Sequence, residues 1–186
     1  MMRLITALFC ISTILLCGNT GLHAQTKGIN REKYRVKINH TDTKINIDGD
    51  INEDVWLSAD IADHFQRVLP TDTGFAIAQT EVRLAYDDLN LYMAIVCHDP
   101  SPGKRPVESL RRDFSFAKND NFLVFIDTFN DQTNGFSFGI SPAGAQWDGL
   151  QANGGTVNLD WDIKWRSAVK NRSEERRVGK ECRSRW

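Results

Sequence analysis

The chain has 186 residues, with 23 basic and 24 acidic side chains, a net charge of −1 and 41% hydrophobic residues. That balance excludes a nucleic-acid binder as the first reading. It also leaves enough apolar residues for one domain with a core of its own.

In chain order, residues 1–24 have the layout of an export signal: Arg3, an apolar run from Leu4 to Leu16, then small and polar residues up to Ala24. The run is too short for a permanent membrane helix. Cys17 follows the bulky Leu16, where a lipid-anchor site wants Gly or Ala, so a lipoprotein is the lesser alternative. Residues 25–33 are polar and read as a flexible lead.

Tyr34, Val36 and Ile38 alternate with Arg35 and Lys37, which predicts a first strand with one wet face. Ile45 and Ile47 predict a short second strand, closed by Asp48-Gly49. Asn52 then serves as a helix N-cap, with Glu53 and Asp54 in the first turn and Val55, Trp56 and Ala59 on a buried face. The Asp48-x-Asp50-x-Asn52 spacing opens like a calcium loop. It has Glu53 where that loop needs glycine and Ala59 where it needs glutamate, so turn and cap are favoured.

Asp60 to Thr80 shows no sustained period. Val82, Leu84 and Tyr86, a turn at Asp87–Asn90, and the apolar run Leu91–Cys97 predict a hairpin whose second strand is buried. His98-Asp99 reads as a turn rather than a catalytic pair. After a Pro/Gly loop, the run Phe122–Ile126 is apolar on both faces and is expected to be a central strand. A polar turn from Asp127 to Gly135 follows. Phe136, Phe138 and Ile140, alternating with Ser137 and Gly139, predict a half-buried returning strand. Pro142 and Gly144 are expected to stop it, leaving Gln146-Trp147-Asp148 at a rim. One further strand is expected from Trp161–Trp165 running towards Val169, with Trp161, Ile163 and Trp165 on one side.

Residues 172–186, RSEERRVGKECRSRW, break every earlier pattern. They resemble the translation of a sequencing adapter, with a basic nucleic-acid- or membrane-binding tail as the alternative. The domain is then expected to run over 34–171 and to lack its closing strands. Setting both ends aside removes seven basic and three acidic residues, and the net charge moves from −1 to −5. Only Cys97 then remains, as a small hydrophobe within a strand.

The segments INIDGDINEDVW, EVRLAYDDLNLYMAIVCHD, RRDFSFAKNDNFLVFIDTFNDQTNGFSFGISPAGAQWDG and WDIKW, taken in this order, resemble carbohydrate-binding module family 9-like domains. The resemblance covers about Tyr34 to Lys170. It points to the version found at the N-terminus of larger secreted or outer-membrane proteins of Bacteroidetes-type bacteria. It implies an all-β, jelly-roll-type β-sandwich of antiparallel strands with one short helix. It further implies binding of a glucan or xylan-type polysaccharide or oligosaccharide, a structural calcium ion, and association with xylanase-type glycoside hydrolysis. The missing C-terminal region of the same protein is the other partner implied, and no nucleic acid is expected. Trp56 matches the family's structural tryptophan. Asp113, Asp120, Asp127 and Asp148 match recurring acidic positions, and Trp161 and Trp165 a recurring pair.

Sugar binding needs flat aromatic surface to cover the C–H face of a pyranose, and polar side chains to fix its hydroxyls. Trp147, Trp161 and Trp165, with Asp148, Asn153 and Arg112, are the candidates. Trp147 is expected at the rim, and Asp160 and Asp162 flank Trp161 as acceptors. Trp161 and Trp165 as core residues are the even alternative. Asp120, Asp127 and Asp131 flank one hairpin and are the candidate calcium ligands, with solvated turn residues as the alternative. A structural periplasmic domain of an outer-membrane barrel protein, without sugar binding, is the second functional reading. An O-glycosyl hydrolase is the third, although no carboxylate pair has the spacing that marks one.

Overall fold

The computed structural model describes residues 31–68, 74–99, 109–153, 155–171 and 175–183. The expected export signal and most of the lead lie outside the described residues. The chain divides into two units, Met1–Tyr34 and Arg35–Trp186. Of the first, Arg31–Tyr34 is a 3-10 turn. The second carries ten strands and the helix among the described residues.

Those elements are β1 (Asn39–His40), α1 (Asp54–Ser58), β2 (Ile61–Ala62), β3 (Thr80–Tyr86), β4 (Asn90–His98), β5 (Phe122–Ile126), β6 (Gly135–Ile140), β7 (Gln146–Ala152), β8 (Thr156–Asn158), β9 (Arg166–Asn171) and β10 (Glu175–Arg183). They form two sheets. One has the order β1-β3-β4-β10-β9, with β2 also on β3, and the other β5-β6-β7-β8. Only β1 runs parallel to its neighbour, β3; the other pairings are antiparallel.

The sheets face each other across one core. Val82, Met93 and Ile95 from the first meet Phe138 and Ile140 from the second, and Trp165 fills the seam. This is a β-sandwich, as the alternating runs at 82–86 and 136–140 and the continuous apolar runs at 91–97 and 122–126 imply. The far side of the first sheet is covered by α1 and the chain before it, where Trp56, Ile45 and Ala59 pack on Ala85, Tyr92 and Ala94. The far side of the second sheet is covered by Phe114, which packs with Ala145 and Trp147. Cys97 packs at the margin of the main core, in keeping with its expected role.

Several expectations are corrected. No strand forms over Tyr34–Ile38 or at Ile45–Ile47. In both places a carboxylate takes the backbone donor that a ladder would use. Asp60 Oδ2 accepts from the Lys37 amide at 2.9 Å, and Glu53 Oε1 accepts from the Asn46 amide at 3.1 Å. The helix N-cap is Glu53 rather than Asn52, with no side-chain capping bond. Glu53 instead accepts the indole N–H of Trp56 at 2.9 Å. Tying that polar edge lets the ring sit 6% exposed in the core.

β5 is an edge strand among those described, not a central one. Its second apolar face is covered at Leu123 by the Phe114–Trp147 cluster, while Phe125 remains 53% exposed. Pro142 and Gly144 do not stop the sheet. Gly144, at φ +84, allows a tight reversal in which its amide bonds Ser141 O at 3.0 Å. The chain returns at once as β7, so Gln146-Trp147-Asp148 opens an interior strand instead of a rim. The extended run at 161–165 joins no ladder, and the strand expected there begins at Arg166. Residues 175–183, expected to stand outside the domain, run as β10 between β4 and β9.

Candidate functional site

β6 and β7 pair so that Phe136, Phe138 and Ile140 stand opposite Leu150, Asp148 and Gln146. Cross-strand partners share a face, so Gln146 and Asp148 are on the inner side of the sandwich and Trp147 on the outer. The run 161–165 passes over that inner side. Trp165 stacks edge-on to Phe138 at 5.7 Å, and Trp161 lies against Phe136 at 5.1 Å.

Arg112 closes the end of this arrangement. Its guanidinium donates to Gln146 Oε1 at 3.1 Å, to Ile163 O at 2.9 Å and to the carboxylate of Asp148. It also pairs with Asp162 Oδ1 at 2.5 Å. The second oxygen of Asp148 accepts the Ile163 amide at 3.0 Å. A carboxylate that is 0% exposed thus has both oxygens satisfied, which is the condition for keeping a charge buried. Gln146 passes the network on, donating to Trp165 O at 3.2 Å and Ser167 Oγ at 2.9 Å. Asp113 extends it along the edge of β7. Its amide donates to Gln146 O at 2.9 Å and its Oδ1 accepts from the Asp148 amide at 3.4 Å, at positions to which β8 does not extend. Burial pushes the Asp113 carboxyl up. The carboxylates of Asp148 and Asp162 push the same way, and the Asp148 amide and Arg112 oppose them.

The candidates separate on this geometry. Arg112, Asp148, Trp161 and Trp165 come together, joined by Asp162. Trp147 is 3% exposed, on the outer face against Phe114, Leu123 and Val157. The expectation of a rim platform is therefore corrected. Its ring lies over Gly139, where a Cβ would stand 3.3 Å from Trp147 Cβ and Cε3, so the missing side chain at 139 makes its berth. Trp165, 7% exposed, is also core. Asp148 is occupied by Arg112 and Ile163 instead of facing solvent. Asn153 lies in the β7–β8 turn at φ +53, five residues beyond Asp148 and so about 17 Å along the strand.

Trp161 is the candidate tryptophan that keeps part of its ring in solvent. Around it run Phe136, Phe138 at 6.3 Å and, beyond Phe136 at 6.4 Å, Phe129. Phe129 is 60% exposed. The flanking Asp160 is exposed, and the Asp162 side chain is 70% exposed. The sequence reading overlooked Gln146, Phe129 and Phe136. An aromatic in a turn that alternates with polar residues was the available signal for Phe129.

The three candidate calcium ligands are not brought to one place. Asp120 precedes β5 and Asp127 follows it, about 23 Å apart on strand geometry. Asp127 accepts the amides of Phe129 at 3.1 Å and Gln132 at 2.9 Å. Asp131 accepts those of Thr133 at 2.9 Å and Asn134 at 2.8 Å, and bonds from Asn134 and Thr133 hold its carboxyl well below the usual range. Both are turn-forming residues. Among the described residues no group of three His, Cys, Asp or Glu side chains is placed to hold a metal ion.

No protein-family model and no curated protein matches the chain. Solved structures do, among them two of one family. A carbohydrate binding module family 9 from Caldicellulosiruptor kristjanssonii in complex with glucose is similar over 79% of this chain and 68% of that one, with 16% identity and a TM-score of 0.51. A family 9 module from that organism in complex with cellotriose is similar over 78% and 66%, at the same identity and score. This chain therefore spans about two thirds of their length. It has the β-sandwich fold of family 9 carbohydrate-binding modules.

Proposed function

We propose that the chain is an exported carbohydrate-binding module that holds a glucan or xylan-type chain against Trp161, as one part of a larger protein engaged in carbohydrate breakdown. The observation that carries this reading is the aromatic run Phe129–Phe136–Trp161, open to solvent at Phe129 and Trp161, beside the carboxylates of Asp160 and Asp162. A pyranose ring covers such a surface with its C–H face, and the carboxylates accept from its hydroxyls. Phe136 and Phe138 hold the indole from behind, so little freedom is lost when sugar stacks on it. The neighbours of the same fold, solved with glucose and with cellotriose, support the saccharide class.

A second reading, a structural domain without sugar binding, is favoured by the burial of Trp147 and Trp165. Electrophoresis of the chain through gels containing soluble glucan or xylan separates the two. Retardation that free oligosaccharide relieves supports the module. Unretarded migration in every gel supports the structural domain, and release of reducing sugar from the gel polymer would point to hydrolysis.

A further inference from the structure

Phe129 is a large apolar side chain in a polar turn between β5 and β6. It is 60% exposed, so its ring adds little to the core. Its backbone is nevertheless firmly held. Asp127 accepts the Phe129 amide at 3.1 Å through Oδ1 and the Gln132 amide at 2.9 Å through Oδ2. Asp131 accepts the amides of Thr133 at 2.9 Å and Asn134 at 2.8 Å, and its Oδ2 accepts from Asn134 Nδ2 at 2.7 Å. Asn130 and Gln132 take left-handed backbone, at φ +54 and +61, which costs stability in a residue other than glycine. A turn built in this way presents an exposed phenyl ring in one place. A ligand stacking on that ring loses little to ordering it.

Phe136 joins this ring to Trp161. Its centre lies 6.4 Å from that of Phe129 and 5.1 Å from that of Trp161. Each step is close to the length of one pyranose unit in an extended chain. The planes turn by 41° at the first step and 35° at the second, so the surface is not flat. The face of a crystalline polysaccharide would meet one ring at a time, whereas a single chain follows the turns by rotating about its glycosidic bonds. We propose that Phe129 is a second sugar-stacking subsite, and that the site takes a single soluble glycan chain of several units from Trp161 across Phe136 to Phe129. This rests on the sugar-binding reading above and adds to it a dependence on chain length. Trp161 holds one unit, and Phe129 is reached only by a longer chain. Asn130 and Gln132, both exposed, flank the subsite in sequence and carry amides suited to sugar hydroxyls.

The readout is the ratio of affinities for a trisaccharide and its monosaccharide, cellotriose against glucose and xylotriose against xylose, measured on the full chain. In the preferred pair the parent should favour the trisaccharide by about tenfold or more, the scale of stacking one further ring. Phe129→Ala and Phe129→Leu should each bring that ratio down to about threefold or less, since leucine keeps apolar bulk but has no flat face. Phe129→Tyr should keep it. A parent that binds sugar without favouring the trisaccharide, or a ratio unchanged in both Phe129→Ala and Phe129→Leu, overturns the proposal and leaves the Trp161 reading standing. Depletion of the parent by microcrystalline cellulose that free cellotriose does not reverse also overturns it. No binding of any of the four sugars by the parent contradicts the sugar-binding reading itself, and the second subsite falls with it.

Discussion

Arg112 bridges two carboxylates of opposite circumstance: Asp148, wholly buried, and Asp162, mostly in solvent. The first anchors the arginine, and the arginine in turn fixes where the second stands, next to Trp161. Arg112→Ala leaves the Asp148 charge buried with only the Ile163 amide on its second oxygen. The expected loss is about 3 kcal/mol, the low end for breaking a buried pair, because Arg112 itself is one-third exposed. Arg112→Lys should rescue little, since a single ammonium cannot serve Gln146, Asp148 and Asp162 together. Urea denaturation of the three proteins checks this; a loss below about 1 kcal/mol would mark the pair as dispensable.

Trp147 and Trp56 should behave alike. Both are nearly inaccessible, at 3% and 6%, and each closes a satellite core on the outside of one sheet. Truncating either to alanine should cost about 3–5 kcal/mol. Thermal melts of the two variants test it. A Trp147→Ala protein as stable as the parent, with weakened sugar binding, would restore the rim role.

Asp113 should limit stability at neutral pH. Its folded-state carboxyl titrates above the ordinary value, so the unfolded chain gives up this proton first as pH rises, and stability falls from about pH 4 upward. Asp113→Asn removes that penalty, keeps an oxygen for the Asp148 amide, and suits the left-handed backbone at φ +58. The gain should be under about 1 kcal/mol, given the residue's exposure. It should be present at pH 7 and absent at pH 3. Equal stabilities at both values would contradict it.

The opposite sign applies to Asp87 in the β3–β4 turn. Burial raises its pKa, but the Tyr92 hydroxyl at 2.7 Å and the amides of Leu89 and Asn90 at 2.8 and 2.6 Å prevail and lower it to about 2. A depressed carboxylate adds stability that is complete above its unfolded value of 3.8 and is lost as pH falls toward 2. Tyr92→Phe should destabilise the protein above pH 4 and flatten the decline between pH 4 and 2. Parallel profiles for the two proteins would show that the phenol does not set this carboxylate.

The hairpins at 80–98 and 122–140 were legible because each pairs an alternating strand, which reports a single buried face, with a continuous apolar run, which reports a strand packed on both. The short strand expected at Ile45–Ile47 was not, because Glu53 replaces its ladder partner, and side-chain capture of a backbone amide leaves no period. Trp147 misled for a related reason. A tryptophan beside Gly144 and Asp148 looks solvated, yet Gly139 across the strand opens a berth for it. Asp148 reads as a polar rim residue until Arg112, 36 positions earlier, is seen to meet it. Such long-range pairs leave no local trace.

The sugar site is tested most directly by calorimetric titration of cellotriose and a xylo-oligosaccharide into the full chain and its Trp161→Ala variant. Loss of the stacking surface should weaken binding of the preferred sugar by roughly 1–3 kcal/mol, which is about five- to 150-fold in affinity. The variant should still melt cooperatively, since Trp161 only borders the core. Binding unchanged in a folded Trp161→Ala protein, or no heat of binding from the parent with either sugar, would contradict the assignment.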